Sequence, residues 1–344
     1  MKKFTKGCLI TALVLFVFGC AFYGICGFMG GFGQLKERDI MSSNGTFSIG
    51  VPGTWWGYHI GLFSFWDDDW EDWDDDLSHA VNLIEQDENA QTAYISSEIK
   101  SIDIELGGCS LVIAQSQDDR IWIENRSDYK TLKYGMKNGT FRLYNSNSFR
   151  FWNHNWNSNN WNSGSVYLYL PEGLDLRSIN IEMGAGNMES IALAATDIDL
   201  EAGAGSFTIE ALSGSEISVS VGAGGADIDT ILANSLSLEA GAGSITVDDM
   251  NVGKLDVEAA AGPVELTGEV SGDADIECAA GSVDISLRAM QNDFDYEIEC
   301  SVGSVTIGHD EYSGLATERS IYNGAGREMN IECAAGSVTV GFSN

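Results

Sequence analysis

The sequence predicts an all-β chain: a β-solenoid of the parallel β-helix kind, with 19-residue coils, preceded by one N-terminal transmembrane helix. Three observations predict it. Eight segments share one short motif, and their aligned glycines recur at a fixed step. Apolar and polar residues alternate with period two on both sides of that motif. A long uncharged apolar run follows three lysines at the N-terminus.

Residues 1–6 form a basic tail with Lys2, Lys3 and Lys6, placed in the cytoplasm by the positive-inside rule. Residues 7–33 form the membrane anchor. The uncharged stretch from Gly7 to Leu35 exceeds the ~20 apolar residues that cross a hydrocarbon core. It is too long for the apolar region of a signal peptide, and no A-x-A cleavage site follows it. A cleaved secretion signal and a lipoprotein signal are the alternatives. Val17-Phe18-Gly19-Cys20 loosely matches a lipobox, but Phe18 suits it poorly and the apolar run continues past Cys20. An uncleaved anchor puts everything after Lys36 outside the membrane. Residues 1–38 carry five Lys+Arg and one Glu, so a chain with net charge −33 presents −37 beyond them.

Residues 34–93 read as an acidic, Trp-rich spacer. Positions 54–76 hold Trp55, Trp56, Trp66, Trp70 and Trp73 together with eight acids. The Asp run within 67–76 lacks the spacing of a Ca²⁺-binding loop and reads as a solvated linker. Residues 94–176 form an N-terminal β region interrupted at 149–163 by Trp152, Trp156 and Trp161 among Asn and Ser. These eight tryptophans support two readings equally. They make an aromatic binding surface suited to sugar rings or a membrane interface, or they cover an end or side of the solenoid.

Residues 177–344 carry the solenoid repeats. The segments NIEMGAGNM, DLEAGAGSF, SVSVGAGGA, SLEAGAGSI, DVEAAAGPV, DIECAAGSV, EIECSVGSV and NIECAAGSV align on Gly186, Gly205, Gly224, Gly243, Gly262, Gly281, Gly303 and Gly336. The first five steps are 19 residues each, followed by 22 and 33. A degenerate copy at 102–113, IDIELGGCSLVI, shows the pattern beginning earlier. Ile198, Leu200, Phe207 and Ile209 point one way while Asp199, Glu201 and Thr208 point the other, which is strand alternation. One such unit cannot bury its own apolar face, so units must stack. The small residues at the turn are expected to allow positive φ and to let coils approach to ~4.8 Å.

Stacking in sequence order creates two ladders. Glu182, Glu201, Glu239, Glu258, Glu277, Glu299 and Glu332 share one position, interrupted by Ser220. Cys278, Cys300 and Cys333 share the next, where earlier coils carry Met183, Ala202, Val221, Ala240 and Ala259. Rung spacing lies within disulfide range, so one adjacent pair can be oxidised; the alternative is a buried thiol column filling the corner of the coil.

The run SVYLYLPEGLDLRSINIEMGAG, followed by repeated E-(A/C)-(G/A)-A-G-S units, resembles the bacterial putative adhesin family, a domain of unknown function, over roughly residues 94–344. The resemblance implies a β-solenoid on a cell-surface or envelope protein, often membrane-anchored and sometimes linked to envelope-stress systems. It supplies no catalytic residues. The two Trp-rich insertions depart from the plain pattern.

Charge excludes two classes of partner. A pI near 4.1 gives no basic footprint for nucleic acid or anionic lipid. His59, His79, His154 and His309 show no metal spacing, and no phosphate-binding or nucleophile motif stands in a strand–helix context, so no catalytic residue, metal or cofactor is expected. A β-helical glycan-cleaving enzyme is the catalytic alternative. Equal carboxylates on every rung, with 29 acids against five bases in 177–344, suit it badly. The expected function is a non-enzymatic, membrane-anchored surface protein, an adhesin or scaffold, with an envelope-stress sensor as the other non-enzymatic reading. Its expected partners are the membrane through the N-terminal helix, and a cell-surface glycan, protein or cationic peptide.

Overall fold

Alternation decides each strand. In Ser178–Met183, Ile179, Ile181 and Met183 are buried while Ser178, Asn180 and Glu182 look outward. Ser101–Leu106 and Asp197–Ala202 repeat the pattern. The computed structural model describes residues 91–95 (backbone only), 99–126, 132–145, 164–313 and 316–343. Among these residues the fold is all-β, with a single 3-10 turn at Gln291–Asp293. No helix among them is long and apolar enough to cross a membrane. The anchor expected at 7–33 and the spacer tryptophans lie outside the described residues.

The coils stack as parallel strands in register at a shift of 19 residues. Ser206–Val221 pairs with Gly225–Ala240, and that strand with Ser244–Ala259, each 16 residues long. The central coils therefore use one long strand and one three-residue turn. A strand that returns to its own start after 19 residues has to bend. In the next coil that bend opens into a break between Pro263–Val270 and Ala274–Cys278. Each coil so contributes to two walls, one leading into the small-residue turn and one leaving it.

The order of coils departs from sequence order at both ends. Along the first wall the stack runs Thr140–Asn145, Ser101–Leu106, Ser178–Met183, Asp197–Ala202, 216–221, 235–240, 255–259, Ala274–Cys278, Glu328–Cys333, Asp295–Cys300. The coil nearest the C-terminus is thus inserted beneath the one preceding it in sequence. At the other end, the coil of 101–115 lies beneath a later one built from Thr140–Asn145 and Ser165–Leu170. Antiparallel strands close both ends. Leu132–Lys137, Arg120–Asn125 and Gln91–Ile95 do so at one; Asp310–Ser313 and Thr317–Ile321 do so at the other.

Between the walls runs one apolar core. Leu143, Ile104, Ile181, Leu200, Val219, Leu238, Val257, Ile276, Ile331 and Ile298 follow one another in register, and all are buried. No coil owns this column; each supplies one residue and buries it against the coils on either side.

Of the two purposes expected of the turn glycines, the structure bears out close approach and not positive φ. Among the described residues the glycines with positive φ are Gly139, Gly173, Gly268, Gly308, Gly324 and Gly326, none of them an aligned turn glycine. What the turn requires is close approach: a Cβ on Gly224 would overlap the carbonyl oxygen of Gly205 in the coil below.

Candidate functional site

The first wall turns two rows of acids outward. The Glu that precedes each turn has its side chain on the face opposite the core, so parallel register stacks one above another. The row runs Glu105, Glu182, Glu201, Ser220, Glu239, Glu258, Glu277, Glu332, Glu299, with Glu318 of the closing strand opposite Glu299. Glu332 sits between Glu277 and Glu299, because its coil is the inserted one. A second row lies two residues earlier and mixes Asp103, Asn180, Asp199, Ser218, Ser237, Asp256, Asp275, Asn330 and Glu297. Sequence reading missed that row because its chemistry changes from rung to rung.

Stacked carboxylates raise one another's proton affinity. Glu182 is half-buried, and its pKa is pushed from 4.5 up to about 7 by that burial, then by the charges of Glu201, Glu105 and Asp103. A hydrogen bond from Asn180 works the other way. Glu201 and Glu258 are raised too, by burial first and by neighbouring acids second. Polar neighbours temper the rows. Arg142 pairs with Asp103, Lys254 Nζ lies 3.2 Å from Asp275, and Asn330 Nδ2 donates to Asp275 at 2.9 Å.

A different surface lies at the N-terminal end of the second wall. Asp118, Arg120, Trp122, Glu124 and Arg126 alternate along one strand and its flanks, beside Tyr167 and Tyr169 of Ser165–Leu170. The Arg120 guanidinium lies 4.5 Å from the Trp122 ring centre, and Arg126 lies 4.4 Å from that of Tyr167. Trp122 Nε1 donates to Asp118 at 2.8 Å, Arg126 donates twice to Glu124, and the Tyr169 hydroxyl donates to Glu124 at 3.2 Å. Hydrogen bonds from Arg120 and Trp122 hold the Asp118 carboxyl down at about 2. Each charge here has a partner, and guanidinium groups lie over two of the rings. The face therefore seals the strands that close the stack and does not offer a bare platform for a sugar. Trp122, the ninth tryptophan, was legible only as part of the D-x-R-x-W-x-E-x-R alternation.

The other candidate binding residues, Trp55, Trp56, Trp66, Trp70, Trp73, Trp152, Trp156 and Trp161, lie outside the described residues. In sequence, residues 146–163, which include the last three, separate Thr140–Asn145 from Ser165–Leu170. No group of three or more His, Cys, Asp or Glu side chains among the described residues is placed to hold a metal ion.

Residues 99–340 match the family described as Toastrack DUF4097. No curated protein matches the chain. Among solved structures it is similar to a putative adhesin from Bacteroides fragilis, at 15% identity and a TM-score of 0.36, covering 74% of this chain and 98% of that one. A putative adhesin from Parabacteroides distasonis shows 12% identity and a TM-score of 0.40, with 74% and 98% covered. A putative lipid binding protein from the same species shows 14% identity and a TM-score of 0.35, with 74% and 96% covered.

Proposed function

The chain belongs to the Toastrack DUF4097 family, and within that family we propose that it serves as a non-enzymatic cell-envelope surface protein, an adhesin or scaffold. Residues 7–33 hold it in the membrane and the solenoid lies outside. Its first wall is the surface that takes cationic partners, such as a basic peptide or the basic face of another protein.

One observation carries this reading: the outward carboxylates are in register from rung to rung, with few bases among them. Repetition at ~4.8 Å builds an extended anionic face, which gathers cations along its length. An acid–base pair for glycan cleavage needs two carboxylates in different environments, set apart from the rest. Here like carboxylates repeat from rung to rung, which supports a surface for binding.

The test is binding of a Lys-rich peptide to the full chain at ~20 mM and ~300 mM NaCl, which spans a large change in screening. Affinity is expected to fall about tenfold or more at the higher salt. Replacing Glu201, Glu239 and Glu258 by Gln should weaken binding at low salt. Binding that is absent, or indifferent to salt, would refute the reading.

A further inference from the structure

We infer that Cys278, Cys333 and Cys300 form a disulfide site in which Cys333 is the shared partner: it pairs with Cys278 or with Cys300, and those two do not pair with each other. In sequence order Cys278 and Cys300 belong to successive coils. In the fold, the coil of Glu328–Cys333 lies between them, with Cys333 opposite Cys278 on one side and opposite Cys300 on the other. Adjacent rungs lie ~4.8 Å apart, inside the Cα range of a disulfide, whereas two rungs at ~9.6 Å lie outside it.

The sulfurs also lean along the stack. Cys278 Sγ lies 3.8 Å from the carbonyl oxygen of Ser337, in the coil of Cys333. Cys333 Sγ lies 3.9 Å from that of Ser304, in the coil of Cys300. Packing alone does not require thiols at this position, since Ala202, Ala240 and Ala259 fill it in other coils.

All three thiols are free and 2% exposed. Hydrogen bonding to Cys278 and burial push the Cys333 thiol up, so attack by its thiolate belongs to a state with the inserted coil lifted out. With a small-molecule disulfide as oxidant, the Cys333 thiolate attacks one of its sulfurs and releases the first small thiol. The Cys278 or Cys300 thiolate then attacks the Cys333 sulfur, forms the protein S–S bond and releases the second. The two protein thiol protons end on the two released thiols. The product ties the inserted coil either to the body of the stack or to its outermost coil.

The test is made on the full chain, unfolded, reduced and then refolded in a buffer of oxidised and reduced glutathione, with remaining thiols alkylated. Trypsin cleaves after Lys254, Arg288, Arg319 and Arg327, which puts each cysteine on its own peptide: 255–288, 289–319 and 328–344. Mass spectrometry should find 328–344 joined to one of the other two. A 255–288 to 289–319 link, or complete alkylation of all three cysteines, overturns the inference. Cys333→Ala, which places at this rung the residue other coils already carry, should keep the far-ultraviolet dichroism of the parent and lose every link within this trio. A Cys278–Cys300 link in that variant also overturns it.

Discussion

At the third position of the turn, a Cβ points at the backbone of the neighbouring coil. Gly186, Gly205, Gly224, Gly243, Gly262, Gly281, Gly336 and Gly303 each face a carbonyl oxygen that a side chain would strike. Cys109 holds the equivalent place in the coil of 101–115. Gly224→Ala should therefore cost roughly 2–4 kcal/mol in a denaturant melt, because backbone cannot move aside as a side chain can. Gly241→Ala, at the first turn position, should cost about 1 kcal/mol or less. Its Cβ would lie 2.7 Å from the Gly222 oxygen, and Ala260, Ala279 and Ala334 already occupy that position elsewhere. Glu182 makes stability depend on pH. Its folded pKa of about 7 lies above the ordinary 4.5, so between those values the folded chain holds a proton that the unfolded chain has released. Stability is then greatest below the window and falls as pH rises through it. Discounted for solvent screening, the loss is about 1–2 kcal/mol. The Tm should drop between pH 5 and pH 8, and Glu182→Gln should flatten that drop; an equal drop in the variant would exclude Glu182 as its cause.

Strands and turns were legible because each declares itself within a few residues. Ile198, Leu200, Phe207 and Ile209 announce a buried face by alternation alone, and the Glu row follows from a constant offset to the turn glycine. The order of coils was not legible, for a reason in the same repetition. EMNIECAAGSVTV offers a neighbour the same apolar column, Glu and Cys as DIECAAGSVDI or EIECSVGSV, so local chemistry cannot rank them. The information lies in the longer spacings. Residues 288–294 lead to the outermost coil, and 308–327 supply the closing strands before the chain turns back beneath it. The aromatic face was missed because a strand of alternating charge reads like any exposed edge. Truncation after Arg327 tests the insertion. With the last coil gone, Asp295–Cys300 loses its parallel partner, and hydrogen exchange across 295–300 should rise steeply. Stacking in sequence order would leave that strand on Ala274–Cys278 and keep its protection.

A parallel stack is an open template at each end, and an unclosed end invites another copy. Here the chain closes both. At one end Leu132–Lys137 places Lys133 and Lys137 on the rim. At the other, the closing strands are only four and five residues long, and each ends one apolar column with a charge. Arg319 stands opposite Ile298, the last residue of the buried column on the first wall, and Asp310 stands opposite Ile307 on the second. A charge at the end of a column is costly to bury against an incoming coil, so it blocks growth where hydrogen bonding would allow it. Net charge gives a second barrier, since the 29 acids and five bases of 177–344 make two approaching copies repel. The barriers respond differently to salt: repulsion is screened, while the cost of burying Arg319 and Asp310 persists. Replacing both by Val should extend those two apolar columns to the end of the stack. Light scattering should then show mass rising with protein concentration, and rising further at ~0.5 M NaCl, where the Debye length falls to roughly 4 Å. The parent chain should keep the same mass at both ionic strengths. If the double variant does so as well, the end charges are not what stops the stack.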